Sequence, residues 1–236
     1  MAEPALPAAA FPVPALPAEL IAVRHGQSTA NVLFDRARAT GTPAVLPPGA
    51  DPLVPLTPLG REQAAGLGRW LAGTVPDAVV VSPYVRTRQT WEAMADAAGR
   101  LGCRSPLPPP VLDERLRDRE MGVFEGHDAH AIRDRDPGEA LRRERAGEWT
   151  YRPPGGESLP DVAARVRALL RDPAAVPPGR RVLLVAHDAV VVALRHVLDG
   201  ETPARPWPVP NASVSRWIAD GGGVLRRVEF GARPGA

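Results

Sequence analysis

The sequence contains no lysine, and all 29 of its basic side chains are arginine. Such a uniform absence reflects genome composition more readily than function, although arginine supplies forked, permanently charged donors that suit phosphate. The 27 acidic residues leave a formal charge of only +2, and no run of five basic residues occurs. We therefore expect no nucleic-acid partner, and charge alone suggests at most a small anion as ligand.

Cysteine and long apolar runs are also scarce. The single cysteine, Cys103, cannot form an internal disulfide, and no apolar run approaches the roughly 18 residues of a membrane span. Residues 1–18 carry five prolines and no basic start, so we interpret them as a flexible tail rather than a secretory signal. These features predict a cytoplasmic protein with no membrane partner.

Three short apolar runs are typical of strands buried on both faces of a parallel sheet. They cover residues 20–23, 78–81 and 182–186. Helical patterns and a C-terminal hairpin accompany them. The helices begin at Thr57 and Ser158 and cover residues 86–99 and 189–198, and the hairpin strands cover residues 214–219 and 224–230. This order predicts a three-layer α/β/α sandwich, with a mostly parallel central sheet and helices on both faces.

We expect one α/β domain over residues 19–231, with two excursions from the regular pattern. Residues 35–55 are rich in proline and lack periodicity, which indicates a long loop of the kind that often lies over an active site. Residues 127–150 are polar, dense in charge and partly helical in pattern. We interpret both segments as additions to the core of the domain.

Polar side chains follow each of the three predicted strands. Arg24 and His25 follow the first, Ser82 and then Arg86 follow the second, and His187 follows the third. Ligands of open α/β sheets bind beyond the carboxyl ends of the strands. The sequence thus predicts two imidazoles and two guanidiniums at one sheet edge, which suits a tetrahedral oxyanion beside a nucleophilic nitrogen.

The order of these segments resembles the histidine phosphatase superfamily, also called the phosphoglycerate mutase-like family. The matching segments are residues 24–31 (RHGQSTAN), 56–64 (LTPLGREQA), 82–90 (SPYVRTRQT), 185–187 (VAH) and 211–214 (NASV). The resemblance runs in order from about residue 19 to residue 218. It implies the family's α/β fold and a two-step phosphoryl transfer that needs no metal and no cofactor.

The resemblance also implies roles for individual residues. His25 would attack phosphorus and form a phosphohistidine, while Arg24, Arg86 and His187 would hold the phosphoryl oxygens. Nearby arginines disfavour a protonated imidazole, which is expected to keep His25 neutral and nucleophilic. Further hydrogen bonds to the same group are expected from three polar side chains: Gln27, Ser28 and Asn31.

The proton donor to the leaving oxygen is where the sequence departs from the family. The family has a glutamate four residues before a glycine, and the matching position here is Asp118, one methylene shorter. We rank Asp118 first as donor, then Glu120, which shares its face if the segment is extended, and then Glu114. Glu120 and Glu157 are also candidates for contacts to the substrate.

A second departure is Asp188, which stands where the family usually has glycine. Its carboxylate could repel a phosphate or raise the pKa of an imidazole. We favour instead a side chain that points away and caps the following helix.

The sequence therefore predicts a metal-independent phosphohydrolase that acts on a small phosphorylated metabolite through a phosphohistidine on His25. Phosphoryl transfer of the phosphoglycerate mutase type is the alternative within the same chemistry. A non-catalytic protein that binds a phospholigand is the alternative of another class, because Asp118 and Asp188 depart from the family pattern. Whether the chain forms a homodimer is left open.

Overall fold

The computed structural model describes residues 16–103, 106–202 and 207–234. These residues form one six-stranded sheet with the strand order β3-β2-β4-β1-β5-β6. The strands are β1 (Glu19–Arg24), β2 (Ala78–Val81), β3 (Pro110–Leu112), β4 (Arg181–Ala186), β5 (Val214–Ala219) and β6 (Leu225–Ala232). The first four run parallel, and β5 pairs antiparallel with both β1 and β6. The mostly parallel sheet is as predicted.

Seven helices connect and cover the strands in the described part of the chain. They are α1 (Thr29–Thr40), α2 (Pro58–Gly73), α3 (Val85–Arg100), α4 (Ala129–Arg135), α5 (Pro137–Thr150), α6 (Leu159–Leu170) and α7 (Asp188–Asp199). In the described ranges no helix is both long enough and apolar enough to cross a membrane.

Both faces of the sheet are buried, because successive strand residues point to opposite sides. Ile21 and Val23 of β1 face a core that includes Leu71 of α2 and Met94 of α3. Leu20 and Ala22, from the same strand, face the core formed with α6 and α7. The predicted three-layer α/β/α architecture is thereby confirmed.

The structure moves the start of the predicted loop at residues 35–55 and shows a helix, α1, that was not predicted. The loop predicted for residues 35–55 begins later, because α1 continues to Thr40 and ends at Gly41, whose φ is +68°. Helix α1 starts with a capping box between Ser28 and Asn31, a local signal that outweighed the weak apolar periodicity of the segment. Helices α4 and α5 lie within the excursion at 127–150.

The predicted N-terminal tail falls mostly outside the described residues, because residues 1–15 are not among them. Of the rest, Leu16 accepts a hydrogen bond from the Gly179 N–H, and Ala18 donates one to the Arg180 carbonyl. These contacts place residues 16–18 beside the start of β4.

Candidate active site

His25 lies where β1 ends, between β4 and the turn that precedes β5. Its backbone N–H donates to the Ala186 carbonyl, and its carbonyl accepts from the Ala212 N–H and from the Asn211 side chain. The next residue must be glycine, because a Cβ on Gly26 would lie 2.3 Å from the Gly60 carbonyl oxygen. This close approach to the start of α2 fixes the position of the histidine.

The imidazole of His25 is oriented for attack through Nε2. Its Nδ1 lies 2.7 Å from the carbonyl oxygen of Gly26, which can only accept, so Nδ1 carries the proton and Nε2 keeps its lone pair. Burial lowers the pKa of His25 well below its usual value, and coupling to the neighbouring His187 imidazole and the charges of Arg86 and Arg24 lower it further. The His25 ring is therefore neutral, as predicted. Burial is the main cause of its lowered pKa, and the predicted effect of the arginines is smaller.

His187 lies at the end of β4, with its ring centroid 5.3 Å from that of His25. The Ser82 hydroxyl is 2.9 Å from His187 Nε2 and accepts from the Tyr84 N–H, so the hydroxyl proton is free to point at Nε2. With the hydroxyl proton directed at Nε2, that nitrogen accepts, and the proton of a neutral His187 ring is then on Nδ1. Nδ1 is buried without a hydrogen-bond partner among the described residues and is available to a ligand oxygen.

Asp118 approaches the same imidazole. Its Oδ2 lies 3.4 Å from His187 Nδ1. Burial, followed by the charges of Arg86, Arg165 and Arg24, lowers the pKa of His187 well below its usual value. The ring is therefore neutral, and its contact with Asp118 is a polar contact rather than an ion pair.

Arg86 lies in the first turn of α3 with its guanidinium almost fully buried between two carboxylates. One terminal nitrogen donates to the Asp51 carbonyl at 2.7 Å and to Asp51 Oδ1 at 3.1 Å. The other donates to Asp51 Oδ2 at 3.3 Å and to Asp118 Oδ2 at 3.0 Å. The guanidinium also lies over the Tyr84 ring, 4.8 Å from its centroid, so the arginine is held in a single position.

Asp118 is brought to this cluster by a network of arginines on its own segment and on α6. The Asp118 carbonyl accepts from Arg165, and its Oδ1 accepts from the Arg119 N–H. Arg119 is in turn buried and paired with Glu148 at 2.6 Å. Of the three donors considered from the sequence, Asp118 is the one whose carboxylate contacts both Arg86 and His187.

The other two candidate donors lie elsewhere. Glu120 pairs with Arg117 at 2.7 Å and its side chain is nearly half exposed, while Glu114 is exposed in the short turn after β3. Neither carboxylate has a recorded contact with His25, Arg86 or His187 in the described structure.

Glu157 lies within a network of hydrogen bonds. Its two carboxylate oxygens accept from Arg117, from both ends of the Arg165 guanidinium and from the Glu120 N–H. The side chain is largely buried and supports the loop through this network, and a contact of Glu157 with the substrate stays a prediction. Glu120, bound to Arg117, is likewise turned to a protein partner.

Gln27, Ser28 and Asn31 also hold protein partners. Ser28 Oγ caps α1 by accepting from the Asn31 N–H, and Asn31 Oδ1 accepts from the Ser28 N–H. Gln27 Oε1 accepts from the Thr57 hydroxyl at 2.9 Å. Ser28 Oγ and the side-chain oxygens of Gln27 and Asn31 are thus used to build the turn around His25, and the role of the three side chains as donors to a phosphoryl group stays a prediction.

Arg24 faces the cluster from the end of β1. One terminal nitrogen donates to the Val209 carbonyl, and the other lies 3.2 Å from Asp188 Oδ2. The cap of α7 is His187, and Asp188 is the first residue of the helix, where its Oδ1 accepts from the Ala189 N–H. The expectation that Asp188 points away as the helix cap is therefore wrong, because its carboxylate turns to Arg24.

A cleft of about 530 Å³ opens over this cluster. Its charged lining residues are Asp51, Asp118, Glu125, Glu148 and Asp188 on the acidic side, and Arg38, Arg119 and Arg143 on the basic side. His25, Arg86 and His187 are at most 3% exposed and are not among the residues that line the cleft. Two lining carboxylates contact the buried cluster, because Asp51 and Asp118 both pair with Arg86 and Asp118 also approaches His187.

Three of these acidic residues were not found from the sequence: Glu148, which pairs with Arg119, and Asp51 and Glu125. Asp51 follows a proline-rich stretch with no periodicity, and only its place in a loop expected over the site pointed toward it. Glu125 accepts from the Met121 N–H, and burial raises its pKa, an effect that the Met121 N–H opposes and the nearby Asp51 and Asp118 reinforce. No motif marked either carboxylate, because their relation to Arg86 depends on distant parts of the chain.

The described residues contain no group of three or more His, Cys, Asp and Glu side chains that could hold a metal ion. His127 and His130, the two histidines spaced three apart in the excursion, belong to no such group. His127 Nδ1 contacts the Glu125 carbonyl and its Nε2 contacts Arg135.

The neutral, buried histidines should make the fold less stable as the pH falls. Below the usual histidine pKa of 6.5 the unfolded chain takes up protons that native His25 and His187 do not, so stability declines with falling pH. His25→Asn should reduce the slope of the unfolding free energy against pH by about 1.4 kcal/mol per unit below pH 6.5. Urea melts between pH 5 and 7 measure this, with His130→Asn as the control. An unchanged slope in His25→Asn would contradict it.

Comparison with known proteins shows which family the sequence of this chain matches. A family model described as the histidine phosphatase superfamily (branch 1) matches residues 20–229. A 2,3-bisphosphoglycerate-dependent phosphoglycerate mutase of Methylorubrum populi is 34% identical over 192 residues, which is 78% of this chain and 80% of that protein. A probable phosphoglycerate mutase of an Enterobacter species is 33% identical over 178 residues, 71% of this chain and 78% of that one.

Solved structures show the same relationship in three dimensions. A mycobacterial glucosyl-3-phosphoglycerate phosphatase in complex with VO3 aligns with a TM-score of 0.69 and 27% identity, covering 91% of this chain and 99% of that one. The YhfR protein of Bacillus stearothermophilus aligns with a TM-score of 0.71 and 28% identity, covering 90% and 96%. Mutases and phosphatases are thus both among the similar proteins.

Proposed function

The chain belongs to the histidine phosphatase superfamily, and we propose that it is a phosphohydrolase that releases inorganic phosphate from a small phosphomonoester. The observation that carries this proposal is the orientation of His25. Its Nδ1–H is bound to the Gly26 carbonyl at 2.7 Å, so Nε2 presents a lone pair. The neighbouring groups, His187, Arg86 and Arg24, are those that a phosphoryl group needs.

The reaction proceeds in two displacements. In the first, His25 Nε2 forms a bond to phosphorus while the bond from phosphorus to the ester oxygen breaks, and Asp118, in its protonated carboxylic acid form, gives its proton to the departing alcohol. In the second, water attacks the phosphohistidine, Asp118 takes the water proton, and the bond from nitrogen to phosphorus breaks. Inorganic phosphate leaves, and both residues return to their starting states.

Charge on the transferring group is offset by the protein. Arg86 and Arg24 supply guanidinium donors, and the Nδ1–H of His187, which has no partner among the described residues, supplies a neutral donor. Forked guanidinium groups match the planar arrangement of phosphoryl oxygens near the transition state. Because these donors are fixed before the substrate binds, they need little reorganisation during the reaction.

Phosphoryl transfer of the mutase type is the second candidate, and the two phosphoglycerate mutases of 34% and 33% identity favour it. The charge of the cleft favours hydrolysis. Five acidic residues line the cleft against three arginines, and two of those arginines, Arg119 and Arg143, are already paired with Glu148. A substrate that carries a second anionic group, as a phosphoglycerate does, finds few free cations here, whereas a neutral alcohol portion meets no such penalty.

The experiment measures phosphate release and phosphate transfer in the same samples. The purified protein is incubated with sugar phosphates, nucleotides and phospho-acids, and products are followed by phosphorus NMR with a chelator present. We expect inorganic phosphate to accumulate. Movement of the phosphoryl group between positions without release would establish the mutase alternative, and phosphate binding without turnover would establish a phospholigand-binding protein.

Arg86→Ala should weaken inhibition by inorganic phosphate. The substitution removes the buried guanidinium between Asp51 and Asp118, so we expect the inhibition constant to rise by about 10- to 10²-fold, the scale for losing a hydrogen bond between charged groups. Inhibition of the hydrolysis of a chromogenic ester measures this. Arg88→Ala, an exposed arginine on the same helix, is the matched control. Unchanged inhibition in Arg86→Ala would remove that residue from the phosphate site.

A further inference from the structure

The hydrogen bonds of Arg86 are already used within the protein. The two terminal nitrogens of a guanidinium carry four N–H groups. Asp51 accepts three of the hydrogen bonds from these nitrogens, through its carbonyl and both carboxylate oxygens, and Asp118 accepts the fourth. A phosphoryl group would need the same fork. A phosphoryl group can therefore bind to the two terminal nitrogens of Arg86 only after a carboxylate leaves them.

Asp51 is placed between the cleft and this guanidinium. It begins a short turn over residues 51–53 in the segment that joins α1 to α2, and it lines the cleft. The Arg86 side chain behind it is 4% exposed, against 15% for that of Asp51. A ligand that enters from the cleft thus reaches the aspartate before it reaches the arginine.

The two carboxylates on Arg86 are held differently. Asp118 is anchored by Arg165 through its carbonyl and by the Arg119 N–H through Oδ1. Within the described ranges of the chain, the Asp51 carboxylate accepts hydrogen bonds from Arg86 alone. Asp51 is therefore the group that can leave without dismantling the loop of the proposed proton donor.

Electrostatics favour its departure when a phosphoryl group arrives. Burial raises the pKa of the Asp51 carboxyl against the opposing effect of Arg86, and the charge of Asp118 raises it further. A charged Asp51 is thus already in an unfavourable position, and a phosphoryl dianion beside it would add repulsion. A dianion also contacts more donors than one carboxylate can, since His187 Nδ1 and Arg24 lie beside the same space.

We propose that Asp51 is an internal competitor for the phosphate site, whose carboxylate occupies the fork of Arg86 until a phosphoryl group displaces it. The proposal rests on the proposed function in that it uses the same phosphate site. Because the competing carboxylate is tethered, its effective concentration is high. The Asp51 carboxylate weakens the binding of anions that contact Arg86 without also contacting the histidines. It also favours the release of product phosphate.

The test is calorimetric titration with inorganic phosphate. Asp51→Asn keeps the shape of the side chain and removes its charge, so we expect phosphate to bind about tenfold more tightly, a conservative fraction of the effect of a unit charge at this distance. Asp51→Glu, which keeps the charge, should bind phosphate as the wild type does. Asp77→Asn removes the same charge just before β2, at the opposite end of the sheet, and should change nothing.

The outcomes separate this inference from the proposed function. Unchanged or weaker phosphate binding in Asp51→Asn would overturn the inference, even if the wild type hydrolyses esters. Tighter binding in Asp51→Asn would support it, even if no ester is hydrolysed. The KM for a chromogenic ester should fall in step with the phosphate affinity. A loss of kcat confined to poor leaving groups, with unchanged phosphate affinity, would make Asp51 a proton donor and contradict the proposal.

Thermal unfolding of each variant accompanies the titrations. Should Asp51→Asn fail to fold, Asp51→Ser serves as the second uncharged variant, because a serine hydroxyl can still accept a hydrogen bond from Arg86. The same tenfold gain in phosphate affinity is expected from it, and the absence of any gain would overturn the proposal.

Discussion

Replacing His25 with alanine should lower turnover by roughly 10⁵–10⁶-fold, the scale seen when a covalent nucleophile is removed from an enzyme. The reason lies in the geometry of the ring. Its Nε2 is the one nitrogen with a lone pair directed away from the Gly26 carbonyl, and the ring stays neutral because it is buried. No other imidazole in the described site can replace it, since His187 holds its own Nε2 against Ser82.

The measurement has two parts. Hydrolysis of a chromogenic phosphate ester gives the loss of rate, and rapid quenching into alkali with a radiolabelled ester traps the phosphohistidine. Label should be found on the wild type and be absent from His25→Ala. His130→Ala, which alters a histidine outside the cleft lining, should retain wild-type turnover and label. A His25→Ala protein that keeps more than a few per cent of the activity would exclude the proposed intermediate.

The fold and the meeting point of the reactive groups were predictable because they depend on local patterns. Apolar runs that end in Arg24-His25, in Ser82 and in His187 predict parallel strands, and the carboxyl ends of neighbouring parallel strands meet at one edge. The structure pairs β1 and β2 with β4 in parallel register. The rings of His25 and His187, 162 positions apart in the chain, accordingly lie 5.3 Å from each other.

The partners of these groups were not predictable, because they come from distant segments. Asp51 reaches Arg86 from a proline-rich loop, and no periodicity or motif gives the path of such a loop. Ser28 illustrates the same limit, since a hydroxyl next to a reactive histidine fits a phosphate donor as well as a helix cap. The structure uses it as a cap because Asn31 lies three residues later.

The cause of the neutral histidine shows how a correct conclusion can depend on a different force. Flanking arginines led us to expect a lowered pKa for His25, and its pKa is indeed lowered. The first cause is desolvation by burial, the second is coupling to the neighbouring His187 imidazole, and the two arginines come after both. Packing density around a side chain comes from the folded core and is not visible in a motif, whereas a neighbouring arginine is.

Asp118→Ala should slow the hydrolysis of poor leaving groups far more than that of good ones. An alkoxide needs a proton as its bond to phosphorus breaks, whereas a nitrophenolate leaves without one. The Asp118 carboxylate lies 3.0 Å from Arg86 and 3.4 Å from His187, beside the space that the ester oxygen must occupy. We expect a loss of about 10²–10⁴-fold on alkyl phosphates, the usual contribution of a general acid, and a loss below about tenfold on a nitrophenyl ester.

Two further variants make this result specific. Asp118→Glu supplies the longer acid at the same position and should recover part of the activity on alkyl phosphates, which a merely structural role would not produce. Glu120→Gln changes a carboxylate that is bound to Arg117 and is nearly half exposed, so both substrates should be hydrolysed at wild-type rates. Equal losses on both esters in Asp118→Ala would mean that Asp118 only supports Arg86. A loss in Glu120→Gln that is confined to alkyl phosphates would mean that Glu120 is the proton donor. The ratio of the two rates therefore identifies the group that protonates the leaving oxygen, independently of how much each substitution weakens phosphate binding.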